Sequence, residues 1–154
     1  MHTLPQINLY THGTQWTSSH GHLAFFGAYA TINIAMIYMA LQRVRGNVWM
    51  SAGLADNGWK WKWSLGLLNG GMVGMTMALL IAGYDQSFIE RALEGSTWSG
   101  YFQAQQSAWF VQSMHWRMVF GSMMSMGIVL LFWDMLTIGR TEKRAIQEHA
   151  LLPT

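Results

Sequence analysis

The chain has 154 residues, of which only 10% are charged and 51% are hydrophobic, with 13 Met and 9 Trp; soluble domains carry ~25% charged residues, so an ordinary water-soluble globule is excluded and a membrane protein is indicated. A net charge of +2, with no basic patch interleaved with stacking aromatics, argues against nucleic-acid binding. The absence of cysteine excludes disulfides, thiolate metal sites and covalent c-type haem attachment, so any iron bound by this chain is held through nitrogen or oxygen.

The first residues lack a basic start, a short apolar core and a cleavage site, and do not read as a removable signal peptide. Residues 1–17, with Pro5, Asn8, His12, Gly13, Thr14 and Trp16, read as a loop leading into a helix whose N-cap is Thr17, Ser18 or Ser19. A first membrane span is predicted over about residues 18–41, with Thr31 and Asn33 inside it and Arg43 and Arg45 closing it. Residues 46–58 read as a connection with a short interfacial turn near 48–50. Trp59, Trp61 and Trp63 alternate with Lys60 and Lys62, which predicts an interfacial belt with snorkelling lysines rather than a strand. The second span is expected over 63–84, where Gly66, Gly70, Gly74 and Ala78 recur every fourth residue and predict a packing seam. Residues 85–112 form an outer segment with Glu90, Arg91 and Glu94, a break at Gly95, Ser96 and Thr97, and a Gln-rich stretch that is either a surface helix or an extension of the next span. The third span is placed over 109–137, with Arg117 and Asp134 near its ends, followed by a polar, partly helical tail from Arg140.

The predicted fold class is therefore all-α, with three transmembrane helices in a single unit covering residues 1–154. Arg43, Arg45, Lys60, Lys62, Arg140, Lys143 and Arg144 fall on one side of these spans, and only Arg91 and Arg117 on the other. The positive-inside rule then makes the first connection and the tail cytoplasmic and turns the N-terminus outward.

Two histidines, His20 and His22, stand at the mouth of the first span in the run Ser18-Ser19-His20-Gly21-His22-Leu23-Ala24-Phe25-Phe26-Gly27-Ala28-Tyr29. On a helix a two-residue step turns through ~200°, so the two imidazoles point to opposite sides and cannot grip one metal from one face. A helix so equipped is suited to stand between two planar prosthetic groups, porphyrins above all. Ala24 and Gly27, at i+4 and i+7 from His20, predict a shallow face beneath it, and Phe26 and Tyr29 an aromatic wall beneath His22. The residues alone leave open that both histidines are interfacial and hydrogen-bonded to neighbouring helices.

The run Leu4-Pro5-Gln6-Ile7-Asn8-Leu9-Tyr10-Thr11-His12-Gly13-Thr14-Gln15, continued by Ser19 to Tyr29, closely resembles the tenth helix and its approach in the catalytic subunit of cytochrome c-dependent bacterial nitric oxide reductases, members of the haem-copper oxidase superfamily. The three-span layout resembles the last three of that subunit's twelve helices. The resemblance implies that His20 is the proximal ligand of the high-spin haem b3 and His22 an axial ligand of the low-spin haem b. It further implies a non-haem iron across the open face of haem b3, reduction of two NO to N2O and water, a haem c-containing partner subunit, and a bacterial inner-membrane location among lipid. The family's non-haem iron ligands, three histidines and a glutamate, and its second low-spin haem ligand come from earlier helices that this chain lacks; His2 and His149 stand without companion ligands at helical spacing. The chain is therefore expected to be a C-terminal portion of the subunit, from a truncated gene or a split polypeptide. It would act only together with the remaining N-terminal helices.

Two further residues are candidates for contact with haem propionates. His12 falls where oxygen-reducing relatives carry a magnesium-site histidine, but the aspartate that follows there is Gly13 here, so His12 is not taken as a metal ligand. Arg117 offers a guanidinium fork to a carboxylate, or simply snorkels to the interface. The methionines at 114, 118, 123, 124 and 126 cover several helix faces and are expected to fill gaps rather than bind a soft metal. Asp85, Glu90 and Glu94 are candidates for passing protons from the outer side or are solvated loop residues. The competing functions are an oxygen-reducing relative, which would need copper and a cross-linked tyrosine from other helices, a non-catalytic membrane carrier with b-type haem, and a structural subunit without cofactor.

Overall fold

The computed structural model describes residues 4–45, 59–93 and 97–137, and among them every regular element is helical. In chain order these are α1 (Pro5–Thr11), α2 (Gln15–His22), a π-helical stretch (Leu23–Ala30), α3 (Thr31–Arg45), α4 (Trp59–Ser87) with a π-helical end (Phe88–Leu93), α5 (Trp98–Gln106) and α6 (Ala108–Thr137). Three continuous helices are long and apolar enough to cross a membrane: Gln15–Leu41, Trp59–Arg91 and Ala108–Thr137. The connection at 46–58, Glu94 with the break at 95–96, and the tail from Arg140 lie outside the described residues, as do His2 and His149.

The approach to the first span is not a loop throughout. Pro5 occupies the first turn of α1, where its missing N–H costs nothing and its fixed φ favours a helix. The segment is too short and too polar to show an apolar period, which is why it reads as irregular. Gly13, at φ 77°, makes the left-handed turn from α1 into α2, a conformation open to glycine without strain. The N-cap of α2 is Thr14, not Thr17, Ser18 or Ser19. The hydroxyls of Thr14 and Thr17 both donate to the Thr11 carbonyl, each at 2.7 Å, and Ser19 is used in a tertiary contact.

Helix α4 lies between the other two spans and is antiparallel to both. Gly71 meets the backbone of α6 at Phe120 and Met124, Gly74 meets the Phe120 ring, and Gly127 meets the α4 backbone at Ser64 and Leu68. Residue numbers fall on one helix as they rise on the other. The seam predicted from the four-residue repeat is only partly the real one, because four residues advance ~400° and a stripe so spaced wraps around the helix. Gly66 has accordingly left the interface, with open space where a Cβ would stand, and Gly71, outside the repeat, is where the backbone of α6 comes close. Trp59, Trp61 and Trp63 are in the first turns of α4, all at least 44% exposed, so the belt is helical and faces outward.

The Gln-rich stretch resolves into a separate helix. Thr97 caps α5 by accepting from the Gly100 N–H at 3.1 Å, and the chain opens at Ser107 (ψ 145°) before α6 begins. Ser107 accepts from the Phe110 N–H at 3.1 Å and donates to Asp85, which pins the start of α6 to α4.

At the opposite end, Leu68, Leu131 and Met135 form a buried cluster against which Phe26, Ile34, Tyr38 and Leu41 pack. The Tyr38 hydroxyl donates to Asp134 at 3.2 Å and ties α3 to α6. Asp134 therefore has a partner within the bundle and is 8% exposed. Removing this bond in Tyr38→Phe is expected to cost about 1 kcal/mol, read as a lower midpoint in equilibrium unfolding in detergent. An unchanged midpoint would show that the pair contributes nothing.

Candidate functional site

The turn that carries the histidines is held against α4 by three contacts. Gln86 Oε1 accepts from the Gln15 N–H at 3.1 Å, the Ser19 hydroxyl donates to the Thr76 carbonyl at 3.1 Å, and Gly83 lets the backbone of Gln15 and Trp16 lie directly on α4. Ser19 is 1% exposed and marks the face of α2 turned to α4. One residue on, His20 is rotated ~100° from that line, and His22 is rotated ~60° the other way. The histidines thus flank the seam, one on each side. His20 is exposed and His22 half-buried among the described residues.

The ring of His22 is oriented by its own helix. Its Nδ1 lies 2.7 Å from the Ser18 carbonyl oxygen. A carbonyl only accepts, so Nδ1 is the donor, which in the neutral ring leaves the lone pair on Nε2, the arrangement of a metal-bound histidine whose other nitrogen is tied to backbone. Between the two histidines, a Cβ built on Gly21 would meet nothing within 4 Å. This donor set, two imidazoles diverging from one turn with one nitrogen already fixed as a donor, fits axial ligation of two planar groups.

The surroundings differ in part from the helical-wheel expectation. Residues 23–30 wind with i→i+5 hydrogen bonds and so advance less per residue than an α-helix. Gly27 is brought back into line with Ser19, and its Cβ position lies 3.4 Å from Met72 Sδ on α4. It belongs to the seam rather than to the face beneath His20. Phe26 packs against the Leu68, Leu131 and Met135 cluster, whereas Tyr29 is exposed and stacks with Phe25 at 6.0 Å.

His12 stands in the turn before α2, exposed, with its carbonyl accepting from Arg91 Nη2 at 3.3 Å. Arg91 also pairs with Glu90 at 3.3 Å. Arg117 lies at the depth of the histidine turn. Thr76 is two residues beyond Gly74 and Arg117 three residues before Phe120, which places both ~3–4.5 Å from the same contact in the same direction. Its side chain is exposed and approaches Met114 Sδ at 3.8 Å. His115 is exposed beside it. Among the described residues no three His, Asp or Glu side chains converge as a metal site.

The residues that seat the histidine turn, Gly83, Gln86 and Thr76, carried no signal of that role in the sequence. A glutamine one turn beyond an apolar run looks interfacial, yet Gln86 is 3% exposed and acts across 71 positions.

Residues 1–124 match the family described as cytochrome c and quinol oxidase polypeptide I. The chain belongs to that family. Its members are haem-copper oxidases, so the chain is part of a family of membrane oxidoreductases that use haem, in keeping with its three membrane-length helices. It is 36% identical over 145 residues to a nitric oxide reductase subunit of Stutzerimonas stutzeri, a match that covers 91% of this chain and 29% of that protein. The chain thus spans less than a third of the length of this relative. No solved structure matches it.

Proposed function

We propose that this chain supplies the haem-ligating helices of a nitric oxide reductase catalytic subunit, corresponding to its last three spans. The observation that carries this is the histidine pair flanking the α2–α4 seam, with His22 Nδ1 bound to the Ser18 carbonyl and Nε2 left as a ligand. His22 would hold a low-spin haem b and His20 a high-spin haem b3. Such groups would supply electron transfer and a metal at which NO could be reduced, together with a non-haem iron that other helices would hold. The overall change, two NO with two electrons and two protons to N2O and water, conserves atoms and charge.

The part played by this chain is structural and electrostatic. The turn at residues 18–22 carries two imidazoles two residues apart on one helix and aims them apart, so a single element would hold both groups. The Ser18 carbonyl orients the His22 ring by accepting from Nδ1. Arg117, at the same depth, and His12, nearer the proposed outer face, would be the groups to meet propionate carboxylates. The second low-spin ligand, the non-haem iron ligands and the haem c-bearing partner that delivers electrons lie outside this chain. The distribution of basic residues supports an orientation in a bacterial inner membrane with Gln15 and Arg91 on the outer side and Arg43 and Lys60 on the cytoplasmic side.

Reduced-minus-oxidised spectra of the complex that contains this chain test the proposal. Two b-type haem signals are expected, one low-spin and unaffected by carbon monoxide, the other high-spin and shifted by it. Absence of haem would leave a structural subunit, and a low-spin signal alone would leave an electron carrier.

A further inference from the structure

We infer that Gly83 and Gln86 of α4 are positioning residues that set the height and tilt of the His20 and His22 turn; this rests on the haem-ligating role proposed above. The first turn of a helix has N–H groups with no partner in the helix itself, and a side-chain oxygen of the N-cap residue ordinarily satisfies one of them. Thr14 does not do so for α2, because its hydroxyl is turned back to the Thr11 carbonyl. Gln86 replaces it from another helix by accepting from the Gln15 N–H, and the Gln86 amide is itself steered by Glu90 at 3.4 Å. Gln86 lies almost wholly out of solvent, so the bond is made where water does not compete for it.

Gly83 acts on the same turn by absence. A Cβ at this position would stand 2.1 Å from the Trp16 nitrogen and 2.7 Å from its Cα. These are backbone atoms and have no rotamer by which to withdraw. The smallest side chain at position 83 therefore lifts the start of α2 off α4. His20 and His22 follow one to two turns later on the same helix, past the Ser19 hydrogen bond to the Thr76 carbonyl. A ligand turn displaced by about 1 Å leaves axial geometry, because metal to nitrogen distances tolerate only a few tenths of an ångström.

The test uses the haem-loaded complex carrying Gly83→Ala, Gln86→Leu, Gln86→Glu and Gly66→Ala, each compared with His22→Ala. Gly83→Ala and Gln86→Leu are expected to insert at wild-type levels but to lose part of the low-spin signal to high-spin haem and to shift its midpoint potential. Gln86→Glu, made together with Glu90→Gln so that a donor still faces an acceptor between the two positions, retains the oxygen that accepts from Gln15 and should restore the wild-type spectrum. Gly66→Ala, on the same helix with open space around it, should leave spectrum and potential unchanged. Wild-type spectra and potentials in both Gly83→Ala and Gln86→Leu would overturn the inference, as would an equal disturbance by Gly66→Ala. Failure of Gly83→Ala to accumulate, together with a normal spectrum in Gln86→Leu, would also overturn it, by reducing Gly83 to a folding role. A low-spin signal that survives His22→Ala would instead remove the haem-ligation proposal itself.

Discussion

His22→Ala is expected to abolish the low-spin haem signal of the complex while leaving a carbon monoxide-sensitive high-spin signal, and His20→Ala to do the reverse. The expectation comes from the angle between the two side chains. Each lies on its own side of the line through Ser19 that faces α4, so a planar group bound by one is out of reach of the other. An iron with both axial positions filled exchanges electrons with little rearrangement but offers NO no position, whereas one with a single protein ligand stays open. Turnover should therefore fall at least ~100-fold in either variant, through lost electron supply in one and a lost reaction site in the other. Optical spectra of both variants with and without carbon monoxide, set beside NO consumption, check this. Loss of the same haem in both would show that the pair does not divide its labour.

Gly71→Val is expected to damage the packing of α4 on α6 severely. The Cβ alone would lie 2.6 Å from the Met124 nitrogen and 2.7 Å from the Phe120 carbonyl oxygen, backbone atoms of α6 that cannot turn aside. Relief requires the two longest helices to separate along their seam, with loss of the contacts that bury Met75 and Leu68 on one helix and Leu131 on the other. The cost should reach or exceed about 3 kcal/mol, the upper range for overpacking. Gly66→Val, on the same helix where nothing approaches within 4 Å, should change stability by no more than about 0.5 kcal/mol. Unfolding of both variants in one detergent provides the comparison, and similar losses would mean that close approach at Gly71 does not hold α4 and α6 together.

The contrast between these two glycines shows where sequence reasoning stops. Both belong to the same glycine-rich stretch, and the four-residue repeat favours Gly66 over Gly71. Between helices surrounded by lipid, no hydrophobic preference selects one face over another; association depends on how closely two particular surfaces fit. The repeat therefore announces that a seam exists but not where it runs. The polar ties were equally hidden. Asp134 meets Tyr38 across 96 positions and Gln86 reaches the Gln15 N–H across 71, and neither partner is marked by spacing or composition.

The order of elements at the histidine end of the bundle is only partly legible in the sequence for a related reason. α1 and α5 have 7 and 9 residues, too few for an apolar stripe to show, and each is held by an end signal, Pro5 in one and Thr97 in the other. The π winding over 23–30 had no local mark either, yet it decides that Gly27 faces Met72.

The all-helical class, the three apolar lengths and the divergence of His20 from His22 could be read directly from the order of residues, because hydrophobic length and rotation per residue are properties of a short piece of chain. Which glycine admits a neighbouring backbone, which distant side chain caps the histidine helix and which hydroxyl meets Asp134 became visible once the helices were packed. Those depend on the fit of surfaces brought together from far apart, and no local pattern encodes that fit.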